Sequence, residues 1–225
     1  MESDKLKRKE IKFVINLENY NQLIIWIKKN PKGFIKQHNS RLINNIYFDT
    51  LNYHFLNENL TGLQKRFKLR LRWYGDLKFI NKAYLEIKIK NSQNGWKKKK
   101  QITINKQTDT ISKKNLNVII TKCLDRKQKN LLDYLSPVLI NHYYRDYYVS
   151  FDGKIRITID KNFKVFDQLK YLKINNSIKN YYFQNIVLEI KYDSNLDENL
   201  DKLFGSIPFR SSRNSKYVSS FYSRT

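Results

Sequence analysis

Four basic residues at alternate positions, Arg66, Lys68, Arg70 and Arg72, form the clearest chemical pattern in the chain, and Phe67, Leu69, Leu71 and Trp73 stand between them. A strand through this segment puts four cations on one face and four apolar groups on the other. The parity recurs. Tyr84, Glu86, Lys88 and Lys90 oppose Leu85, Ile87 and Ile89; Arg156, Thr158 and Asp160 oppose Ile155, Ile157 and Ile159; Glu189 and Lys191 oppose Leu188 and Ile190; Arg8, Glu10 and Lys12 oppose Ile11 and Phe13. In the basic run Lys97 to Lys100, the apolar Ile102 and Ile104 assign even parity to the core face, which leaves Lys97, Lys99, Gln101 and Thr103 with the polar set. A solvated strand face usually mixes Ser, Thr, Glu, Lys and Gln. Here arginine or lysine recurs on each polar face, with isolated glutamates at Glu10, Glu86 and Glu189. Guanidinium forks and ammonium groups grip phosphate oxygens, and a few carboxylates can hold a divalent cation, so the chemistry is that of binding a polyanion.

The elements that must position these residues read as α+β. Period-two segments lie near 7–15, 42–49, 66–74, 83–90, 97–104, 138–149, 154–160 and 184–192. Helical spacing appears near 18–29 through Tyr20, Leu23, Ile24 and Ile27, and near 115–135 through Leu116, Ile119, Ile120, Cys123, Leu124, Leu131, Leu132 and Leu135. Shorter helices are expected near 196–204 and 214–222. Eight strands with their cations turned inward would make a closed antiparallel barrel: a wet, basic tunnel with the apolar faces outside against flanking helices.

Composition agrees with a folded polyanion binder. The 225 residues carry 44 Lys and Arg against 20 Asp and Glu, a formal charge of +24, yet 14% are aromatic, which a disordered basic tail would lack. No Pro/Gly/Ser linker or repeat divides the chain, so residues 1–225 read as a single domain. The one cysteine, Cys123, permits no internal disulfide, and no apolar run reaches a signal-peptide core or a membrane span. A cytoplasmic protein without a transmembrane segment is expected. His38, His54 and His142 match no ligand spacing.

In order along the chain come Arg8-Lys9-Glu10-Ile11-Lys12-Phe13, Tyr47-Phe48-Asp49-Thr50, Lys68-Leu69-Arg70-Leu71-Arg72-Trp73-Tyr74, Leu85-Glu86-Ile87-Lys88, Tyr144-Arg145, Arg156-Ile157-Thr158-Ile159-Asp160, Leu188-Glu189-Ile190-Lys191 and Ser215-Lys216-Tyr217. Together they resemble the VTC domain, the polyphosphate polymerase domain of the triphosphate tunnel metalloenzyme superfamily. The resemblance implies an eight-stranded tunnel and a phosphate-binding set of Lys12, Arg70, Arg72, Lys88, Lys99, Arg145, Arg156 and Lys216. Of these, Lys12, Arg70, Arg72 and Lys88 would be catalytic together with Glu189. It also implies a divalent metal, Mn²⁺ or Mg²⁺, with Glu189 as principal ligand and Glu10 and Glu86 as further candidates. From the residues alone, Glu10 and Glu86 equally suit pairing with neighbouring cations, and Asp49 and Asp160 suit turn or strand-end hydrogen bonding. Parity puts both Lys97 and Lys99 on the polar face and leaves open which of the two lines the tunnel.

The implied activity transfers the γ-phosphoryl group of ATP to orthophosphate or a growing polyphosphate chain. No Walker-type Gly-rich loop is present, so side chains would hold the nucleotide. Two alternatives stay open. One is a triphosphate or polyphosphate phosphohydrolase of the same superfamily; Arg8 in place of the first glutamate of an E-x-E-x-K start counts against it. The other is a non-catalytic module that binds polyphosphate or nucleic acid. No DNA-reading helix is recognisable, so nucleic acid is not the expected partner. Export of product across a membrane would need a membrane-protein partner.

Overall fold

The structure is a computed structural model and describes residues 8–91, 94–124, 134–177, 180–193 and 206–223. Nine strands run β1 (Arg8–Asn16), β2 (Ile35–Asp49), β3 (Lys65–Tyr74), β4 (Phe79–Asn91), β5 (Asn94–Gln107), β6 (Ser136–Val149), β7 (Ile155–Asp167), β8 (Asn180–Phe183) and β9 (Asn185–Asp193). Among the described residues the α-helices are α1 (Tyr20–Lys29), α2 (His54–Thr61), α3 (Lys113–Thr121) and α4 (Lys216–Tyr222). The strand order is β1-β9-β7-β6-β2-β3-β4-β5, with β8 beside β7. The α+β class and the eight strands in that path match the sequence reading.

The expected closed barrel does not form. Among the described residues the ladder ends at β1 and at β5, with no pairing that joins them. Both edges are already blunted. On β1 the Val14 N–H donates to Ser212 Oγ at 3.1 Å, and Ser212 N–H donates to the Lys12 carbonyl at 2.8 Å, so the C-terminal segment occupies this edge. On β5, lysines 97–100 are exposed on both faces, a charge pattern that discourages a further strand.

The chain divides into two compact units. The first draws on Met1–Arg41, Tyr144–Phe163 and Gln184–Asn214. Its core is the apolar face foreseen by parity: Phe13 and Ile15 of β1, Ile155, Ile157 and Ile159 of β7, and Ile186, Leu188 and Ile190 of β9. Helix α1 covers that face because Leu23, Trp26 and Ile27 fall at i, i+3 and i+4, and the Trp26 indole N–H donates to Ser206 Oγ at 3.0 Å. Each large side chain so buried contributes about 1.5–3 kcal/mol, enough for the sheet to hold a charged opposite face.

The second unit draws on Leu42–Tyr143, Lys164–Phe183 and Ser215–Thr225. Leu69, Leu71 and Trp73 of β3 and Leu85 and Ile87 of β4 pack with Ile102 and Ile104 of β5 and with Leu116 and Ile120 of α3. Ser112 caps α3 by accepting from Asn115 N–H at 3.1 Å. The expected 115–135 helix ends at Thr121, residues 122–124 turn away and 134–135 are not helical; residues 125–133 and the helix expected near 196–204 lie outside the described residues.

Candidate functional site: a cationic strand face and a carboxylate pair

In the second unit the register of β3, β4 and β5 turns the alternation into rows. Lys68 stands opposite Lys88, and Lys88 opposite Lys97. The next row is Arg70, Glu86 and Lys99; the one after is Arg72, Tyr84 and Gln101. These three rows therefore set six cations (Lys68, Arg70, Arg72, Lys88, Lys97 and Lys99) beside a single carboxylate, Glu86, and the Arg66–Lys90 pair adds two more on the same face. Like charges placed directly opposite on paired strands repel, so the Lys68–Lys88–Lys97 row costs stability in the absence of an anion.

Glu86 is 3% exposed and holds two of these cations. Its Oε2 accepts from Arg70 Nε at 2.7 Å and lies 2.6 Å from Nη2, while Oε1 accepts from Lys97 Nζ at 2.7 Å. Burial alone would raise this carboxyl, but Arg70, Arg72 and Lys97 pull it down to about 2. Burial likewise opposes the charge on Arg70, whereas Tyr47 and Glu86 raise its pKa above the ordinary guanidinium value. At Lys97 burial wins: the ammonium pKa is lowered despite Glu86, with Arg70 and Arg72 adding to the effect. Lys99 takes another course, with Nζ 3.8 Å from the Tyr84 ring centroid, a cation–π contact.

Arg72 is aimed by a buried polar chain. Its Nε donates to Asn45 Oδ1 at 2.8 Å, Asn45 Nδ2 to Asn141 Oδ1 at 2.7 Å, and Asn141 Nδ2 to Ser220 Oγ at 3.1 Å. Helix α4 brings Lys216, whose Nζ lies 5.7 Å from the Tyr143 ring centroid, and Ser215, which accepts from Lys68 Nζ at 2.9 Å.

The first unit carries a more balanced face. Lys12 faces Glu189, which faces Thr158; Glu10 faces Lys191, which faces Arg156. Lys12 Nζ lies 2.6 Å from Glu10 Oε1, and Lys191 Nζ lies 2.7 Å from Glu189 Oε1 and 3.6 Å from Glu10 Oε2. Two carboxylates thus gather around one ammonium. Burial and the Glu189 charge push the Glu10 carboxyl up, but Lys12 and Lys191 outweigh them and its pKa falls below the usual range. Arg145 clasps the fully buried Asp160 with both prongs, Nε to Oδ1 at 2.5 Å and Nη2 to Oδ2 at 2.7 Å. Asp160 is therefore an arginine anchor and not a strand-end cap. Asp49, in the second unit, does hydrogen-bond backbone, as expected.

With this geometry in hand, likeness to known proteins has a definite meaning. The family model described as VTC domain matches residues 7–223. The chain belongs to the VTC domain family. That places it among enzymes that handle polyphosphate and nucleotide phosphates. No curated protein matches the chain. Among solved structures it is similar to a candidate adenylate cyclase from Bacillus halodurans, at 12% identity and TM-score 0.54, covering 96% of this chain and 98% of that one. A candidate adenylate cyclase from Vibrio parahaemolyticus is similar at 11% identity and TM-score 0.51, covering 96% and 97%. At such identities the likeness is one of fold.

Of the residues that resemblance to the VTC domain singled out, Arg70, Arg72, Lys88, Lys99, Lys216 and Glu86 fall in the second unit, and Lys12, Arg145, Arg156, Glu189 and Glu10 in the first. Three further residues belong with them. Lys97, passed over for Lys99, is the lysine that reaches Glu86; Lys68 completes the like-charge row; Lys191 bridges the two glutamates. The signal for Lys68 and Lys191 was already in their strand parity, whereas the reach of Lys97 depends on cross-strand register.

Proposed function

We propose that this VTC domain is an ATP-dependent polyphosphate polymerase that transfers the γ-phosphoryl group of ATP to orthophosphate or to the end of a growing chain. The observation that carries this reading is the β3–β4–β5 face, where eight cations meet one carboxylate and three lysines stand in one row. A triphosphate carries about four negative charges, and phosphoryl transfer asks the protein for positioning and charge neutralisation more than for covalent chemistry. Arg70 and Arg72 grip phosphate oxygens, Arg70 oriented by Glu86 and Arg72 by Asn45. Lys68, Lys88 and Lys97 neutralise the chain between them, relieving their mutual repulsion as they do so. Lys99 and Lys216, in the same unit, are further phosphate-binding candidates, and Lys12, Arg145 and Arg156 are those of the first unit.

The family's divalent metal fits the first unit. Glu10 and Glu189 offer hard carboxylate oxygens around the ammonium of Lys191, a charge that a Mg²⁺ or Mn²⁺ ion would replace. Among the described residues no cluster of three or more His, Cys, Asp or Glu side chains occurs. Two carboxylates with substrate oxygens and water completing the shell is the usual Mg²⁺ arrangement. A bound ion would supply charge stabilisation to phosphate oxygens held at the first unit. Glu86, 3% exposed and held by the Arg70 fork as well as by Lys97, serves as an orienting group and not as a ligand.

The deciding experiment is product analysis with γ-labelled ATP and a divalent metal. A ladder of polyphosphate supports the polymerase. Release of orthophosphate alone makes the protein a phosphohydrolase, and no turnover with salt-sensitive binding that survives Arg70→Ala makes it a binding module. Among the described residues no helix is long and apolar enough to cross a membrane. In this reading, export of the product belongs to a membrane-protein partner.

A further inference from the structure

Two turns of the first unit are clipped together at their tips. The β6–β7 hairpin turns at Ser150–Lys154, with Gly153 at φ 73°, a left-handed conformation that suits glycine. Phe151 N–H donates to the Lys32 carbonyl at 3.0 Å, and a Cβ added at Gly33 would lie 3.5 Å from Phe151 Cβ. Lys32 and Gly33 belong to the turn between α1 and β2. Asp152 braces the hairpin from within by accepting from Ser150 Oγ and from Lys154 N–H at 3.1 Å.

This rigid apex presents an unusual surface. Phe151 is 88% exposed, and Ile35, where β2 leaves the adjoining turn, is 57% exposed. Five lysines lie in the same two segments, Lys28, Lys29, Lys32, Lys36 and Lys154, against one carboxylate, Asp152. Phe34, between them in sequence, is instead turned inward, its ring centroid 6.1 Å from that of Trp26. A well-packed neighbour makes the exposure of Phe151 a property of the apex and not of a loose loop.

We propose that this double-turn apex docks on an anionic lipid surface, with Phe151 and Ile35 entering the headgroup–acyl boundary and the lysines meeting lipid phosphates. An apolar tip ringed by cations is the combination that such an interface rewards, since apolar burial and attraction to acidic headgroups add there. A lysine-rich surface would serve a nucleic acid equally well. The two turns, however, expose one aromatic ring, Phe151, and one aliphatic group, Ile35, while Phe34 is turned inward, so they offer no row of rings on which successive bases could stack. The inference does not depend on the catalytic reading above.

A charge of +24 by itself would draw the chain to any polyanion. The discriminating readout is therefore Phe151. Vesicles of phosphatidylcholine with and without phosphatidylserine are sedimented with the whole chain, the Phe151→Ser variant and the Lys32→Glu/Lys154→Glu variant. The expected result is binding only to the vesicles containing phosphatidylserine, weakened about tenfold by Phe151→Ser and by at least as much in the double variant. Phe151→Trp should bind normally and blue-shift its fluorescence on those vesicles. Phe151→Ser binding as well as the parent, or a Phe151→Trp emission that stays that of an indole in water, overturns the proposal. So does a phenylalanine-dependent affinity for a single-stranded oligonucleotide without one for vesicles. Circular dichroism of each variant guards against loss of fold.

Discussion

Arg70 and Glu86 stand directly opposite on β3 and β4, and the arginine sets both Nε and Nη2 on one glutamate oxygen while Lys97 takes the other. The carboxylate therefore does two things at once: it fixes the guanidinium plane and offsets part of a strongly cationic face. Its pKa of about 2 against an ordinary 4.5 means that the unfolded chain binds a proton there before the folded one does. Stability from this group is present above pH 4.5 and is lost as pH falls toward 2. Glu86→Gln should remove that acid-dependent component from urea unfolding curves recorded across this window. At neutral pH it should lower stability by roughly 1–3 kcal/mol, since Arg70 and Lys97 lose a charged partner. An unchanged pH profile would mean that Arg70 is held by other groups.

The lysine row makes an opposite prediction for stability and for binding. Lys88 lies between Lys68 and Lys97 and is exposed. Lys88→Met removes repulsion on both sides, so the ligand-free protein should gain roughly 0.5 kcal/mol in urea unfolding. The same variant should bind tripolyphosphate about tenfold more weakly, the loss of one charge-assisted contact, as read by calorimetry. A variant that is both less stable and undiminished in binding would show that the row is a solvated surface.

Asp49 ties two helices to the end of β2. Its Oδ1 accepts from the N–H groups of Thr50 and Phe55, and its Oδ2 from Leu56 N–H and the Tyr217 hydroxyl at 2.5 Å. Tyr217 also stacks on Tyr47, with ring centroids 5.0 Å apart. Because α4 carries Lys216, this anchor positions a phosphate-binding candidate without touching substrate. Tyr217→Phe should keep the stacking and cost about 1 kcal/mol in thermal or urea unfolding. Asp49→Ala should cost more, because the first turn of α2 loses its acceptor. Equal losses for the two would assign the stability to the tyrosine bond alone.

The same residues show what alternation can and cannot reveal. Parity placed the apolar sets of β1, β3, β4, β7 and β9 in the core because each strand has one buried face. It passed over residues 35–41 of β2, where Lys36, Gln37, His38, Asn39, Ser40 and Arg41 are all exposed and no face is marked. It stopped β7 early, since Asp160, Lys161 and Asn162 are three polar residues in succession, with Asn162 left-handed at φ 56°. Helix α2 was missed for another reason. Its N-cap residue, Tyr53, makes no side-chain cap, and the cap comes from Asp49, outside any local signature. Barrel closure was inferred from strand number and facing, but neither reports which groups meet an edge. At β1 that group is Ser212, about two hundred positions away in the sequence.

Glu189 and Glu10 give the most direct test of the metal. Lys191 lies between them at 2.7 and 3.6 Å and Lys12 lies 2.6 Å from Glu10, so without metal two ammonium groups balance the pair, and Lys191 is the one that bridges it. Replacing one carboxylate should weaken metal binding and leave the remaining glutamate over-neutralised, whereas replacing Lys191 should leave two like charges facing each other and strengthen it. Glu189→Gln should therefore lower Mn²⁺ affinity at least about tenfold in calorimetry, and Lys191→Met should raise it. Chelation with EDTA should abolish turnover of the parent, and Mn²⁺ or Mg²⁺ should restore it. Full turnover in EDTA, or Mn²⁺ binding indifferent to both substitutions, would take the metal away from this pair. Calorimetry without ATP separates that outcome from failure of the polymerase reading, which concerns the product and not the ion.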